Sequence, residues 1–600
     1  MTALEPATEE RRGERFLGRS VPGLAVAAVV VGLGAGLGAV VFREAVVGVT
    51  RLLTGQEDYA ATPGARLSWL PGVGTWFLVV LPVIGGLLYG PLVYRFAREA
   101  RGHGVPEVML AVAEGGRIRP RVAVVKILAS ALTIGSGGSV GREGPIVQIG
   151  SAIGSSLGQW MRMPTHRLRL LVACGAGGGI SATFNAPVAG VFFALEIILL
   201  DFTMLSFVVV VAASAIANVV AALVEGAGTF LELPPFAVGS LNQYWLFALL
   251  GVGGGLLGVA FTRVLYGMED LADRVWRGPE WLRPGVGGIL VGLLLVALPQ
   301  LYGVGYPVLQ TGVAGGYAVA FLLVLLVGKL VATSLTPAIG GSGGIFAPSL
   351  FLGAMFGSAA GQGFVAVAPG LAGTAGVYGL VGMAAVLAGA TRAPITAVVI
   401  VAEITAEWAL TVPLMIAVVI ATAISRLISR ETIYTAKLSR RGIRLTPPAE
   451  RDLPTWTRRT VAEAMRAPAA GDPFAQLDGT ARDRGPVRWA PVVTADRSLG
   501  AVTADLATSP VLPVLSADGR RVAGLLAAVD VAAAAASVDP PRPADDGPCI
   551  ARVTRPGPDW TPPSAFRLLD GGPDGGALLL GPVAGLDDLA ASLGTGPDAP

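Results

Sequence analysis

The sequence predicts an all-α polytopic membrane protein made of two related halves, followed by a small α/β domain. Of the 600 residues, 53% are apolar and only 14% are charged, whereas soluble domains carry about 25% charged residues. A glycine-dense segment occurs twice, as GSGGSVGREGPIVQIGSAIGSSLGQ at 135–159 and as GSGGIFAPSLFLGAMFGSAAGQ at 341–362. From Pro447 the composition changes to proline, alanine, aspartate and arginine. We therefore divide the chain into a polar segment 1–20, a membrane domain 21–445 and a soluble tail 446–600.

The repeat extends on both sides of the glycine-dense segments. Upstream, KILASALT at 126–133 matches KLVATSLT at 329–336. Downstream, ATFNAPVAGVFFALEI at 182–197 matches ATRAPITAVVIVAEI at 390–404. Paired hydrophobic segments that glycine and proline interrupt indicate a transporter, with its site near the membrane midplane between broken helices.

Hydropathy predicts ordinary membrane spans in only part of the chain. Uncharged runs long enough to cross a bilayer lie at 21–42, 67–94, 202–224 and 241–262, and 411–424 closes the apolar region. Between 102 and 200 the apolar pieces are short, which is typical of half-helices that are buried in protein. From 284 to 391 the only charged residue is Lys329, so several spans and re-entrant pieces are expected there. Arginines before the first span and after the second, with the basic exit at 431–442, place both termini in the cytoplasm. We expect a multi-pass protein of the plasma membrane.

The composition disfavours several other classes of protein. The net charge is +3, without a basic stretch large enough to suggest nucleic acid as a partner. Two cysteines and two histidines disfavour a disulfide framework and a zinc or haem enzyme. An intramembrane serine hydrolase, imagined at Ser136 or Ser342, would need a histidine base within reach. We therefore predict that the protein is not an enzyme and holds no metal.

Glu143 is the first candidate for a functional residue, because ionisable side chains at membrane depth usually face a pathway. Both repeats also predict a helix that starts inside the membrane, at GREGP (141–145) and at GIFAP (344–348). Such a start presents unpaired N–H groups and the positive end of the helix dipole, which bind an anion. A carboxylate there would occupy the same pocket as an external anion. Glu143 is therefore predicted to be a gate that is displaced when protonated.

These motifs, with FNAPVAGVFFALE at 184–196 and IYTAKLSRRG at 433–442, resemble the CLC family of chloride channels and proton/chloride exchangers. The resemblance implies an inverted repeat with broken and re-entrant helices, and a homodimer with one pore in each subunit. It also implies that Glu143 is the gate and proton acceptor, and that chloride is a transported ligand rather than a cofactor. The implied anion-binding residues are His103, Gly104, Arg142, Gly144, Ile345, Phe346, Ala347 and Tyr434.

Two positions depart from the family pattern. GHGVP at 102–106 stands where the family often has Gly-Ser-Gly-Ile-Pro, so the imidazole of His103 replaces a hydroxyl group. A neutral imidazole can donate one N–H, and a protonated one would make transport sensitive to pH. Ile197 stands where many exchangers place a glutamate that passes protons. We expect exchange of chloride for protons, and the nearest alternative is a passive gated chloride channel.

Two further pairs of residues match between the halves. Glu196 and Glu403 are predicted to be structural residues that cap or pair. For Lys126 and Lys329 two roles stay open, because each could raise the positive potential for anions or bind a structural partner.

The tail resembles a pair of CBS domains, a module that senses adenine nucleotides. The segment 490–533 predicts a strand, a helix, paired strands around Asp518-Gly519 and another helix. Asp530 stands where such modules often place a ribose-binding aspartate, although Ala527 replaces the usual hydroxyl residue. We therefore expect a regulatory domain with an adenine nucleotide as its candidate ligand. A nucleotide-sensing receptor without transport is disfavoured, because the anion motifs are complete.

Overall fold

A computed structural model of the chain describes residues 21–65, 74–226, 228–234, 236 and 241–443, together with short strands between 487 and 582. The chain forms two compact units, Met1–Thr446 and Pro447–Pro600. In the described part of the first unit, seven helices are long and apolar enough to cross a membrane.

The helices of the first half are short wherever glycine and proline interrupt the apolar runs. They are α1 (Val21–Thr54), α2 (Phe77–Phe96), α3 (Val105–Ala113), α4 (Arg121–Gly135), α5 (Glu143–Trp160), α6 (Thr165–Phe184), α7 (Pro187–Phe193) and α8 (Met204–Glu225). Helix α7 continues as a π-helical segment, Ala194–Leu199. Single turns at Tyr59–Ala61 and Arg98–Ala100 complete this half.

The second half repeats this order of helices. They are α9 (Tyr244–Val275), α10 (Arg283–Ala297), α11 (Tyr306–Val313), α12 (Val319–Ala338), α13 (Phe346–Val367), α14 (Ala375–Thr391), α15 (Pro394–Thr405) and α16 (Thr411–Ile428). A last helix, α17 (Thr435–Ser439), follows them. Single turns lie at Leu241–Gln243, Pro299–Leu301, Pro369–Ala372 and Trp408–Leu410.

Helices α1 and α9 are longer than the uncharged runs that predict them. Helix α1 continues twelve residues beyond the predicted end at 42, and α9 continues to Val275 instead of 262. Arg43 interrupts the hydropathy but not the helix, because arginine is a good helix former. Its Nη1 pairs with Oε2 of Glu225 at 2.7 Å. The predicted span 67–94 corresponds to α2, which ends at Phe96; residues 66–73 lie outside the described part.

The two halves meet at their glycine-dense segments. The N–H of Gly141 donates to the carbonyl of Gly344 at 2.8 Å, and the N–H of Gly344 donates back at 2.6 Å. This antiparallel bridge joins two glycines that each lie two residues before a helix start, that of α5 or α13. The two helix starts are therefore held next to each other in the centre of the membrane domain.

Threonines at matching repeat positions make matching bonds across this centre. Thr133 Oγ1 accepts a hydrogen bond from the N–H of Ser342 at 3.2 Å. Thr336 Oγ1 accepts one from the N–H of Ser139, also at 3.2 Å. Because each half bonds the other in the same way, the halves are related by an approximate two-fold axis.

Glu196 and Glu403 make a second reciprocal pair, so their predicted capping role is confirmed. The carboxylate of Glu403 accepts hydrogen bonds from the N–H groups of Val188 and Ala189 at the start of α7. Glu196 accepts from the N–H and hydroxyl groups of Thr396 at the start of α15. Each carboxylate thus satisfies backbone donors that a helix start leaves unpaired.

Glycines allow α5 and α13 to pack closely on the helices that follow them. A Cβ atom on Gly150 would overlap the carbonyl oxygen of Gly175 in α6, and one on Gly357 would overlap that of Tyr378 in α14. Small residues of this kind let membrane helices approach each other closely. The Gly-x3-Gly spacing therefore serves helix packing in both halves.

The described residues of the tail form two three-stranded sheets, with strand orders β1-β5-β6 and β2-β3-β4. The strands are β1 (Val487–Pro491), β2 (Val493–Thr494), β3 (Val511–Leu515), β4 (Val522–Ala527), β5 (Ala565–Asp570) and β6 (Ala577–Pro582). The antiparallel pairing of β3 with β4 agrees with the predicted strand pair. The turn at Asp518-Gly519, the predicted helices and Asp530 lie outside the described residues.

Candidate anion site

The carboxyl group of Glu143 lies between the starts of α5 and α13. Its side chain is 1% exposed, and Oε1 accepts a hydrogen bond from the hydroxyl group of Tyr306 at 3.1 Å. The backbone amides of Glu143 itself and of Ala347 also interact with this carboxylate. The glutamate therefore occupies a place where two helix starts can stabilise negative charge.

Two glycines leave the space that this carboxylate fills. A Cβ atom on Gly141 would overlap Oε2 of Glu143, and one on Gly344 would lie 2.7 Å from the same atom. These glycines are also the pair that joins the two halves. The central bridge and the carboxylate position therefore depend on the same two residues.

The side chain of Arg142 lies on the Tyr306 side of the carboxylate. Its Cζ stands 5.1 Å from the ring centroid of Phe230 and 5.4 Å from that of Tyr306. Nη2 donates to the carbonyl of Thr183 at 3.1 Å. A cation thus stands at one end of the site, where it attracts anions towards Glu143.

The backbone of His103 touches Gly144, and its side chain lies next to that of Tyr434. Both side chains are buried, at 0% and 1% exposure, and their ring centroids are 6.4 Å apart. Among the residues that the structure describes, neither Nδ1 of His103 nor the hydroxyl group of Tyr434 has a hydrogen-bond partner. Because buried polar groups are normally paired, these two groups indicate a place for a polar ligand.

The other nitrogen of His103 faces Tyr266 on α9. Nε2 lies 3.4 Å from the Tyr266 hydroxyl oxygen. That hydroxyl group donates to the carbonyl of Ile433 at 2.6 Å. The two nitrogens of the imidazole therefore have different surroundings.

Lys126 holds the backbone next to His103. Its buried Nζ donates to the carbonyl groups of Ala100 and Gly102 at 2.9 and 2.8 Å. Gly104 then turns the chain into α3 with a positive φ of 78°. A Cβ atom on Gly144 would overlap the carbonyl oxygen of His103, so this loop touches the start of α5.

Lys329 holds the corresponding backbone segment of the second half. Its Nζ donates to the carbonyl groups of Gly303 and Val304 at 3.0 and 2.9 Å, and to Oγ of Ser139 at 2.9 Å. Of the two roles left open for the lysines, the hydrogen bonds favour the structural one. Each lysine fixes the loop that leads to the first short helix of its own half, α3 or α11.

A cavity of about 720 Å³ opens next to Gly102. Its basic lining residues are Arg98, Arg101, Arg277, Arg283, Lys437, Arg440 and Arg441, and its acidic ones are Glu269, Asp273 and Glu280. We call it the basic cavity. The excess of cations gives it a positive potential that raises the local concentration of anions.

The remaining predicted residues also border these helix starts. Ile345 directly precedes α13 and is 1% exposed. Phe346 begins that helix, and its ring centroid lies 6.0 Å from those of Phe184 and Phe193. Ile197 is buried in the π-helical segment, so an apolar side chain fills the position where many exchangers have a glutamate.

Sequence reasoning missed Tyr306 and Tyr266. A signal for Tyr306 was present, because GVGYP at 303–307 repeats the pattern of GHGVP at 102–106. This recurrence would have extended the internal repeat to α3 and α11. Nothing in the sequence marks Tyr266, which reaches His103 only through the packing of α9.

Fold and site together define a membrane transport protein with a path for anions between helix starts. Residues 85–426 match the family model of the voltage gated chloride channel, which covers more than half of the chain. The protein belongs to this family, and it is therefore a polytopic membrane protein.

Its relatives include exchangers from several bacteria. The chain is 34% identical to the H(+)/Cl(-) exchange transporter ClcA of Cronobacter sakazakii, over 69% of this chain and 88% of the relative. It is 36% identical to ClcA of Vibrio parahaemolyticus, over 58% of this chain and 76% of the relative. Among solved structures, it resembles a slow cyanobacterial Cl-/H+ antiporter with a TM-score of 0.64 and 27% identity, over 70% of this chain and 97% of the other.

Proposed function

We propose that this protein exchanges chloride for protons across the membrane, with Glu143 as both gate and proton acceptor. The observation that carries this proposal is the buried carboxylate between the starts of α5 and α13. When it is ionised, the carboxylate acts as a tethered anion in the place of a chloride ion. When it takes up a proton, it leaves this place, and chloride enters.

The anion path runs between two positively charged regions. It begins at the basic cavity beside Gly102, passes His103 and Tyr434, reaches the helix starts at Gly144 and Phe346, and ends near Arg142. N–H groups and hydroxyl groups line the middle of this path, so an anion is bound there without a full opposite charge. Weak sites in series let an anion both enter and leave.

Exchange is favoured over a passive channel by the relatives that are themselves named exchange transporters. Because Ile197 is apolar, this chain lacks one acidic group of the proton route that many exchangers use. The proton must then reach Glu143 through water or through other groups on the side of the basic cavity.

The test is simultaneous measurement of chloride and proton flux with the purified full chain in liposomes that carry an outward chloride gradient. We expect protons to move uphill, driven by chloride. Chloride flux without proton movement would make the protein a passive channel.

Glu143→Gln provides the matching variant, since glutamine keeps the shape and cannot ionise. We expect it to abolish proton movement and to leave uncoupled chloride flux. Coupled flux at the wild-type rate in Glu143→Gln would remove this residue from the gate.

We also propose, from the family resemblance and the basic flanks of the membrane domain, a homodimer in the plasma membrane with both termini in the cytoplasm. Cys174 is buried, so the tail residue Cys549 can report the side of the membrane by thiol labelling of intact and permeabilised cells. For the tail we propose adenine-nucleotide binding that involves Asp530, and loss of nucleotide binding in Asp530→Ala would support it. No enzymatic activity is proposed.

A further inference from the structure

The imidazole of His103 is held by a bond that distinguishes its two nitrogens. The Tyr266 hydroxyl group has one hydrogen, and the carbonyl of Ile433 at 2.6 Å can only accept. Tyr266 therefore donates to Ile433, and its oxygen is left as an acceptor towards Nε2 of His103 at 3.4 Å. This arrangement favours the form of His103 that carries a hydrogen on Nε2.

This tautomer determines what Nδ1 can bind. Nδ1 is the nitrogen without a hydrogen-bond partner in the described part of the chain. In the neutral Nε2–H form, Nδ1 carries a lone pair, and a lone pair repels an anion. In the other neutral tautomer the hydrogen is on Nδ1, and the lone pair on Nε2 would face the oxygen of Tyr266. An anion between His103 and Tyr434 is therefore best bound when both nitrogens carry hydrogen.

The charged and titratable groups around His103 come from five helices and the residues on either side of α17. They are Glu107 (α3), Lys126 (α4), Glu143 (α5), Tyr266 and Glu269 (α9), Lys437 (α17), Tyr434 before α17 and Arg441 after it. Burial opposes a proton on the imidazole most strongly and lowers its pKa, and the charges of Lys437, Lys126 and Arg441 act in the same direction. Glu107 offsets part of this effect, because its Oε1 lies 2.9 Å from Arg441 Nη1 and 3.9 Å from Lys437 Nζ.

We propose that Tyr266 is a positioning residue that makes His103 a coupled site, where a chloride ion and a proton bind together at Nδ1. The proton comes from water in the basic cavity, which Gly102 lines next to His103. It adds to the Nδ1 lone pair, and the resulting N–H donates to the chloride ion. This deepens the proposed function and rests on it, because it supplies a titratable group on the cavity side of Glu143.

The test measures protons taken up per chloride bound, in the full chain purified with Glu143→Gln. This background removes the proton that Glu143 itself would bind. Calorimetric titration of chloride in two buffers with different protonation enthalpies gives the number of protons. We expect up to one proton per chloride wherever the free imidazole is neutral, and in that pH range a dissociation constant that rises by up to tenfold per pH unit.

Two further variants on this background separate His103 from other groups. With His103→Ser, we expect chloride binding without proton uptake and without pH dependence. Tyr266→Phe removes the acceptor opposite Nε2. The neutral imidazole can then carry its hydrogen on Nδ1 and donate it to the anion. We therefore expect less proton uptake and, at about pH 8.5, chloride binding several-fold tighter than in the background.

Tyr302→Phe is the matched control, because the Tyr302 hydroxyl group also donates to a carbonyl, that of Gly135, at 2.6 Å. It should leave proton uptake as in the background. Chloride binding without proton uptake in Glu143→Gln, or uptake that persists with His103→Ser, would overturn the inference and leave the proposed function standing. Absence of both chloride binding and chloride flux would overturn both.

Discussion

Tyr306 donates its hydroxyl hydrogen to Glu143, and this bond joins the two halves of the protein at the proposed gate. The tyrosine begins α11 in the second half, and the glutamate begins α5 in the first. The 3.1 Å bond therefore holds the tethered anion in place from the opposite half.

Replacing Tyr306 with phenylalanine tests this bond. The ring still packs edge-on against Phe230 at 4.8 Å, but the carboxylate loses a hydrogen bond. A hydrogen bond to a charged group contributes about 1.5–3 kcal/mol, so Glu143 leaves its place more readily. We expect chloride flux in liposomes at neutral pH to rise about tenfold. Tyr378→Phe, which loses a hydroxyl bond to Ala372, should leave the flux unchanged, and unchanged flux in both variants would contradict this role.

Gly141→Ala tests the space for the carboxylate. The added Cβ atom would overlap Oε2 of Glu143, so the side chain cannot occupy its place between the helix starts. We expect chloride flux with most of the proton coupling lost, measured as in Glu143→Gln. Gly363→Ala, in α13 with open space around it, should keep the wild-type coupling. Full coupling in Gly141→Ala would show that the glutamate works from another position.

Lys329→Met and Lys126→Met test the structural role of the buried lysines. Lys329→Met leaves the carbonyl groups of Gly303 and Val304 without their ammonium donor, and an unpaired buried polar group costs about 1–3 kcal/mol. In Lys126→Met the two carbonyl groups keep other donors, the hydroxyl group of Ser342 and the N–H of Gly343. We expect Lys329→Met to lower the melting temperature of the purified protein clearly, and Lys126→Met to lower it less. Arg51→Met breaks an exposed ion pair with Glu57, worth about 0–1 kcal/mol, and should have little effect. An unchanged melting temperature with altered anion affinity would favour the electrostatic role instead.

Glu196→Gln and Glu403→Gln test the reciprocal caps. Glutamine keeps one acceptor oxygen but loses the charge, so the N–H groups at the start of α15 or α7 are less well satisfied. We expect a loss of about 1–2 kcal/mol in stability for each, with the chloride/proton ratio unchanged. A changed ratio in Glu196→Gln alone would mean that this glutamate carries protons in place of the residue missing at Ile197.

The sequence predicted the repeat, the buried helix starts and the position of Glu143 because these depend on glycine, proline and charge at fixed spacing. It underestimated α1 and α9, since hydropathy reports contact with lipid and not backbone hydrogen bonding. A paired arginine such as Arg43 therefore ended the predicted span but not the helix.

The partners of Glu143 and His103 could not be predicted in the same way. Tyr306 could be found only through the recurrence of GHGVP as GVGYP, and Tyr266 is a single aromatic residue in an apolar segment, where a tyrosine has no characteristic pattern. They lie 163 positions from Glu143 and His103, respectively, and only the packing of the two halves brings them together. The two roles of Lys126 could be separated only once its carbonyl partners were known.

The reciprocal bonds of Glu196 and Glu403 also bear on how the protein is made. During synthesis the first half leaves the ribosome with the start of α7 uncapped and with the carboxylate of Glu196 unbound. Both are satisfied only after residues near Thr396 and Glu403 have been inserted. The first half is therefore incomplete in the membrane until the second half has been inserted. We expect membrane quality control to degrade a chain that is truncated between the halves.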